Sequence, residues 1–92
     1  MAKLVRDEIP RIVPGKYVVV NQDEKCELLR IKLLEESIEF FRSGSVEELV
    51  DVYEVLRALA KCFGLSIDRL ETLADAKRFL RGGFEYGYVA LD

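Results

Sequence analysis

From about Asp23 to Arg42 the apolar residues Leu28, Ile31, Leu34, Ile38 and Phe41 recur at steps of three and four, the period of an α-helix. A second apolar arc, Leu29, Leu33 and Phe40, lies almost opposite on the same wheel. A helix apolar on two sides belongs between neighbours rather than on an open surface. Ser43-Gly44 breaks the periodicity, and Ser45-Val46-Glu47-Glu48 has the S-x-x-E form of a capping box, which predicts a second helix from about Val46. Leu49, Val52, Leu56, Leu59, Ala60 and Phe63 supply its stripe, and Gly64-Leu65 predicts a Schellman-type stop. Ser66 is placed to cap a third helix of roughly Ile67 to Leu80, with Ile67, Leu70, Leu73, Ala74 and Leu80 as its apolar positions and Gly82-Gly83 at its end.

The two ends of the chain follow a different pattern. Pro10, Pro14 and Gly15 interrupt helix formation in residues 1–22, which predicts an irregular arm, and Tyr17-Val18-Val19-Val20 is a short β-favouring run within it. Phe84, Tyr86 and Tyr88 alternate with Glu85 and Gly87, the period of a strand that would pair with residues 17–20. The expected fold class is therefore all-α (mainly helical). A helical hairpin and a third helix assemble as a four-helix-type bundle in an oligomer, with short terminal β-like arms, and residues 1–92 form a single domain.

Composition bears on assembly and compartment. A chain of 92 residues folding alone hides only about 60–65% of its unfolded surface, whereas 50% of these residues are apolar. Some of that surface is expected between subunits, in a homodimer or homotetramer. The formal net charge is −3 and the basic residues are scattered, which excludes nucleic-acid polymers as partners. No stretch approaches the roughly 18 apolar residues that span a bilayer, and the opening residues Met1 to Asp7 lack the apolar centre of a secretory leader. The expectation is a soluble cytoplasmic protein with no membrane partner. Cys26 and Cys62 have neither C-x-x-C spacing nor the density of a secreted disulfide scaffold, and read as small core residues.

Two acidic clusters carry the candidate chemistry. Glu35-Glu36-x-x-Glu39 closes the first helix and Glu48-x-x-Asp51 opens the second, with a tight connection of eight residues between them. At 100° per residue from Ile31, Glu35 falls at about 40°, Glu39 at about 80° and Glu36 at about 140°, a ridge between the two apolar arcs. On the second helix Glu48 projects between Val55 and Leu59, and Asp51 lies beside Ala58 and Cys62, while Glu47 and Glu54 turn toward solvent. Carboxylates one turn apart repel unless a cation lies between them. A solvated charge face is the ordinary explanation of a Glu-rich helix, and Glu48 has a second ordinary role as the capping-box acid. Asp51 has none, because mid-helix Asp is a poor helix former and is costly beside an apolar stripe. These residues therefore read as ligands of a divalent metal. With no histidine in the chain, a ferritin-like di-iron site or an imidazole zinc site is excluded, and oxygen donors suit Mg2+, with Mn2+ as the substitute.

The same residues resemble the metal-binding signature of the MazG-like all-α nucleoside triphosphate pyrophosphohydrolases, a group that includes the phosphoribosyl-ATP pyrophosphohydrolases of histidine synthesis. Lys3-Leu4-Val5-Arg6-Asp7-Glu8-Ile9-Pro10 resembles the K-L-V-R-D-K-I-P opening of a short subgroup. Arg81-Gly82-Gly83-Phe84 resembles its R-G-G-F close, and Glu48 to Val55 resembles its E-L-A-D-V-L-E-V segment. Glu8 stands where the subgroup has lysine, and the loop between the clusters is shorter than in many relatives. The resemblance implies hydrolysis between the α- and β-phosphates of a nucleotide to a monophosphate and pyrophosphate. Noncanonical nucleotides are one substrate class it implies and phosphoribosyl-ATP is the alternative. It implies Mg2+ held by Glu35, Glu36, Glu39, Glu48 and Asp51, with Glu36 or Glu39 as the base toward the attacking water. Lys3, Arg6, Lys77 and Arg81 are candidates to grip phosphate oxygens; for Lys77 and Arg81 the alternative is ordinary placement at a helix C-terminus. Phe84 and Tyr86 read as core or dimer contacts, with base stacking as the alternative. A catalytically silent helical dimerisation or regulatory module is the rival from another class.

Overall fold

The computed structural model describes residues 3–91. Four helices follow in order: α1, Ile9–Ile12; α2, Gln22–Ser43; α3, Val46–Cys62; and α4, Ile67–Arg81. The all-α expectation is borne out, and the three long helices begin and end within two residues of the places the pattern predicts.

Local chemistry explains those boundaries. Asn21 caps α2 by accepting from Glu24 N–H at 2.8 Å, and Ser66 caps α4 by accepting from Arg69 N–H at 3.1 Å. Ser45 Oγ accepts from Glu48 N–H at 3.3 Å, one half of the expected capping box. The Ser45 N–H donates instead to Ser43 Oγ at 3.2 Å, so the Glu48 carboxylate is not used in the cap. Gly44 ends α2 with φ of 63° and its N–H on the Phe40 carbonyl, a left-handed stop that favours glycine. Past α3, Leu65 N–H bonds to the Ala60 carbonyl and Gly64 N–H to that of Lys61, the paired bonds of a Schellman motif.

Three expectations are corrected. Residues 9–12 form a helical turn despite Pro10, because Pro10 occupies its first turn, where an N–H would have no partner in any case. No strand is present among the described residues: 17–20 and 84–88 form no ladder, and Val18, Val19, Phe84 and Tyr88 are almost fully exposed. β propensity without a neighbour to pair with leaves such segments as coil. Finally, Cys26 and Cys62 are not separate core residues but a disulfide, with Cα atoms 5.9 Å apart. Spacing along the chain could not reveal this pairing, since it depends on the relative register of two helices.

α2 and α3 pack as an antiparallel hairpin, and α4 makes a lesser contact with α3. The hairpin resolves the two arcs of α2. Leu29 is buried, with Leu33 and Phe40 half-buried, while Ile31, Leu34, Ile38 and Phe41 stay open, Phe41 at 88%. Only Leu29, Val55 and Ala60 are buried in the described chain, and no residue of α4 is. The radius of gyration, 16.3 Å, exceeds the roughly 12 Å of a compact domain of this length. No helix among the described residues is long and apolar enough to cross a membrane.

Candidate metal centre

The α2–α3 turn brings the acidic clusters together at one end of the hairpin. Glu35, Glu36, Glu39, Glu48 and Asp51 line a single open groove of about 470 Å3, with Lys3, Ile38 and Arg42 completing it. Within it, Glu36 of α2 and Glu48 and Asp51 of α3 each place one carboxylate oxygen within 4.8 Å of the others. All three side chains are half-buried.

The donor set fits a small hard cation. Opposite oxygens on an octahedral Mg2+ lie about 4.2 Å apart, twice the bond length, so the three would close on an ion with adjustments below about 1 Å. Glu35 and Glu39 line the groove outside this trio.

The electrostatics of the five acids differ. Lys32 stands 3.6 Å from Glu35 and 3.5 Å from Glu36, at the i+3 and i+4 positions of the same helix. Lys3, from the chain's opening segment, lies 3.6 Å from Glu35, and Arg6 donates to Asp51 at 2.6 Å. Both partners of that last pair are more than a third exposed, which limits it to about 0–1 kcal/mol. Glu48 has no cationic partner among the described residues. Loss of solvent on its buried side, followed by the charges of Asp51, Glu36 and Glu39 and a hydrogen bond to Glu36, raises its carboxyl above the ordinary carboxylate range. Among the described residues Glu39 likewise has no cationic partner, so Glu48 is the one acid of the converging trio whose charge is left uncompensated.

Lys3 and Arg6 therefore meet the acidic cluster. Lys77 and Arg81 are exposed on α4 and do not line the groove. Arg81 closes the helix and Lys77 lies one turn before it, while Arg78 reaches Glu85 at 3.3 Å. Phe84 and Tyr86 are exposed and cover neither core nor groove. Two residues of the site escape a reading by motif. Lys32 is signalled only by its K-x-x-E-E spacing, and Arg42 by its place one turn beyond Glu39.

No protein-family model matches the chain, and no curated protein and no solved structure matches it.

Proposed function

We propose that the protein is a Mg2+-dependent nucleoside triphosphate pyrophosphohydrolase that cleaves between the α- and β-phosphates, releasing a monophosphate and pyrophosphate. The observation that carries this reading is the convergence of Glu36, Glu48 and Asp51 from two helices around a point where, among the described residues, no cation pairs with Glu48. The resemblance of Lys3–Pro10, Glu35–Glu39, Glu48–Val55 and Arg81–Phe84 to the pyrophosphohydrolase motifs supplies the reaction class. Mg2+, with Mn2+ as substitute, would be held by Glu36, Glu48 and Asp51 with Glu35 and Glu39 alongside; it supplies neutralisation of the polyphosphate. Of the two candidate bases, Glu36 belongs to the converging trio and Glu39 remains outside it without a cationic partner among the described residues. That frees Glu39 to orient the attacking water and take its proton. Lys3 and Arg6 reach the same cluster and are placed to exchange a carboxylate for a phosphate oxygen, whereas Lys77 and Arg81 would need α4 or a second copy to bring them there.

The acting unit is an oligomer, a homodimer or homotetramer. The accessible surface of 8469 Å2 exceeds by about 3,000 Å2 that of a compact monomer of this mass. The open stripe of Ile31, Leu34, Ile38 and Phe41 is the face a second hairpin would cover, giving a four-helix arrangement. Cytoplasmic house-cleaning of noncanonical nucleotides is the setting we assign, with phosphoribosyl-ATP hydrolysis as the alternative.

A second reading has its own observation: Lys32, Lys3 and Arg6 supply cations to three of the acids, as a purely structural salt-bridge network would. In that case the chain is a catalytically silent dimerisation module. Pyrophosphate release from a panel of ribo-, deoxyribo- and modified nucleoside triphosphates and phosphoribosyl-ATP, with Mg2+ and with chelator, separates the readings. Chelator-sensitive release from any member supports the enzyme, and silence across the panel supports the module.

A further inference from the structure

The end of the hairpin opposite the acidic groove carries a chemistry that nucleotide hydrolysis does not use. Cys26, in the second turn of α2, is bonded to Cys62, the last residue of α3, closing a loop with a sequence separation of 36. Glu36 lies ten residues beyond Cys26 and Asp51 eleven before Cys62, so the bridge sits about 15 Å along the helices from the carboxylates. Leu29, Val55 and Ala60, the buried residues of the described chain, fill the space between. With so few side chains holding α2 to α3, the covalent link supplies a large share of what keeps the hairpin closed.

The bridge is also reachable. Both cysteines are half-buried and line a second open groove of about 340 Å3, together with Asp23, Glu27, Arg30 and Phe63. Arg30 lines that groove beside the acids Asp23 and Glu27, and Gln22 Nε2 donates to Cys26 Sγ at 3.5 Å. The Gln22 donor favours a thiolate over a thiol at Cys26.

We propose that Cys26–Cys62 is a thiol-exchange site, a reversible clamp that a dithiol reductant opens through this groove and so loosens the hairpin that carries the carboxylates. A reductant thiolate attacks Cys62 Sγ, the sulfur–sulfur bond breaks, and Cys26 leaves as the thiolate that accepts from Gln22. The reductant's second thiol then attacks the mixed disulfide, forming its own disulfide and releasing Cys62. Two electrons pass from the dithiol to the bridge, and the two protons lost by the dithiol end on the cysteines. Reoxidation runs the same exchange backward with a small-molecule disulfide. The clamp also bears on compartment, because an accessible disulfide persists only where reductant is scarce or the bridge is stable against it.

The test uses the whole chain, purified without reductant and kept at one concentration. Alkylation of the folded protein should add no label before treatment and two labels after dithiothreitol, without denaturant. The same reduction should lower the melting temperature by roughly 10 °C or more, and oxidised glutathione should restore it. The double variant Cys26→Ser, Cys62→Ser should melt with the reduced parent and ignore dithiothreitol; should it fail to fold, the reduced parent alone carries the comparison, read by melting and by proteolysis within α2. Two labels before reduction, a bridge that yields only after denaturation, or equal melting of oxidised and reduced parent would each overturn the proposal. None of these readouts involves metal or nucleotide, so they stand whether or not the hydrolase reading does.

Discussion

The two ends of the α2–α3 hairpin are closed by opposite means. At the turn, Gly44 and the Ser45 cap reverse the chain within a few residues and force five carboxylates into one groove. At the open end a disulfide ties the helices, and the surroundings carry charges of both signs. Between them lie the three buried residues of the described chain. A hairpin so thinly packed has little apolar burial with which to offset carboxylate repulsion. The difference teaches that the charged end is tolerable because the far end is held, and that a cation at the charged end would remove a cost the protein otherwise bears.

The comparison breaks first at its middle. Leu29→Ala should cost about 2–4 kcal/mol, because it leaves a cavity in the one packed layer linking the ends. Leu34→Ala, 63% exposed on the opposite arc, should cost below about 0.5 kcal/mol in an isolated chain. A larger loss for Leu34→Ala that shrinks on dilution, measured by melting and sedimentation, would mark that arc as covered by a second copy.

The acidic end is sharpened by metal. At a hundredfold excess over its dissociation constant, Mg2+ or Mn2+ should stabilise the parent by about 2.7 kcal/mol, and Asp51→Asn should abolish most of that gain. Equal metal-induced shifts in variant and parent would remove Asp51 from the ligand set. The turn itself is worth less: Gly44→Ala should cost about 1 kcal/mol in chemical denaturation, since alanine at φ of 63° is strained even though no neighbour obstructs its Cβ. A neutral substitution would mean that the turn can relax without disturbing the cluster.

The smallest effect is on pH. Glu48 binds a proton more readily in the folded chain than in the unfolded one, because its carboxyl is raised. Its contribution to stability is therefore present below the ordinary carboxylate range and is lost as pH rises through the raised value. Without metal, the stability of the parent relative to Glu48→Gln should fall across that window. A constant difference between the two would show that Glu48 ionises freely.

Much of this molecule is legible in the chain, and the exceptions share a cause. The long helices follow from periodicity because their ends are marked locally by Ser45, Ser66, Gly44 and Gly64. The acidic groove is legible because a short turn keeps the two clusters that flank it at one end of the α2–α3 hairpin. Helical turn α1 escapes because Pro10 reads as a breaker until its position in the first turn is known. The strands predicted at 17–20 and 84–88 fail for want of a partner, which no local pattern supplies. Cys26 and Cys62 pair, and Lys77 and Arg81 stand apart from the groove, through relations between elements that spacing does not encode.

The central claim is that Glu48 serves a metal-dependent site rather than the helix cap. Its cap role is already limited, since Ser45 N–H turns to Ser43 instead. The most direct measurement is Mg2+-dependent pyrophosphate release by Glu48→Gln beside Glu47→Gln, one residue away and exposed, with melting of both. The account predicts a loss of a hundredfold or more for Glu48→Gln, about 3 kcal/mol of transition-state stabilisation, with the fold retained and Glu47→Gln nearly neutral. Equal activity in the two folded variants would contradict it.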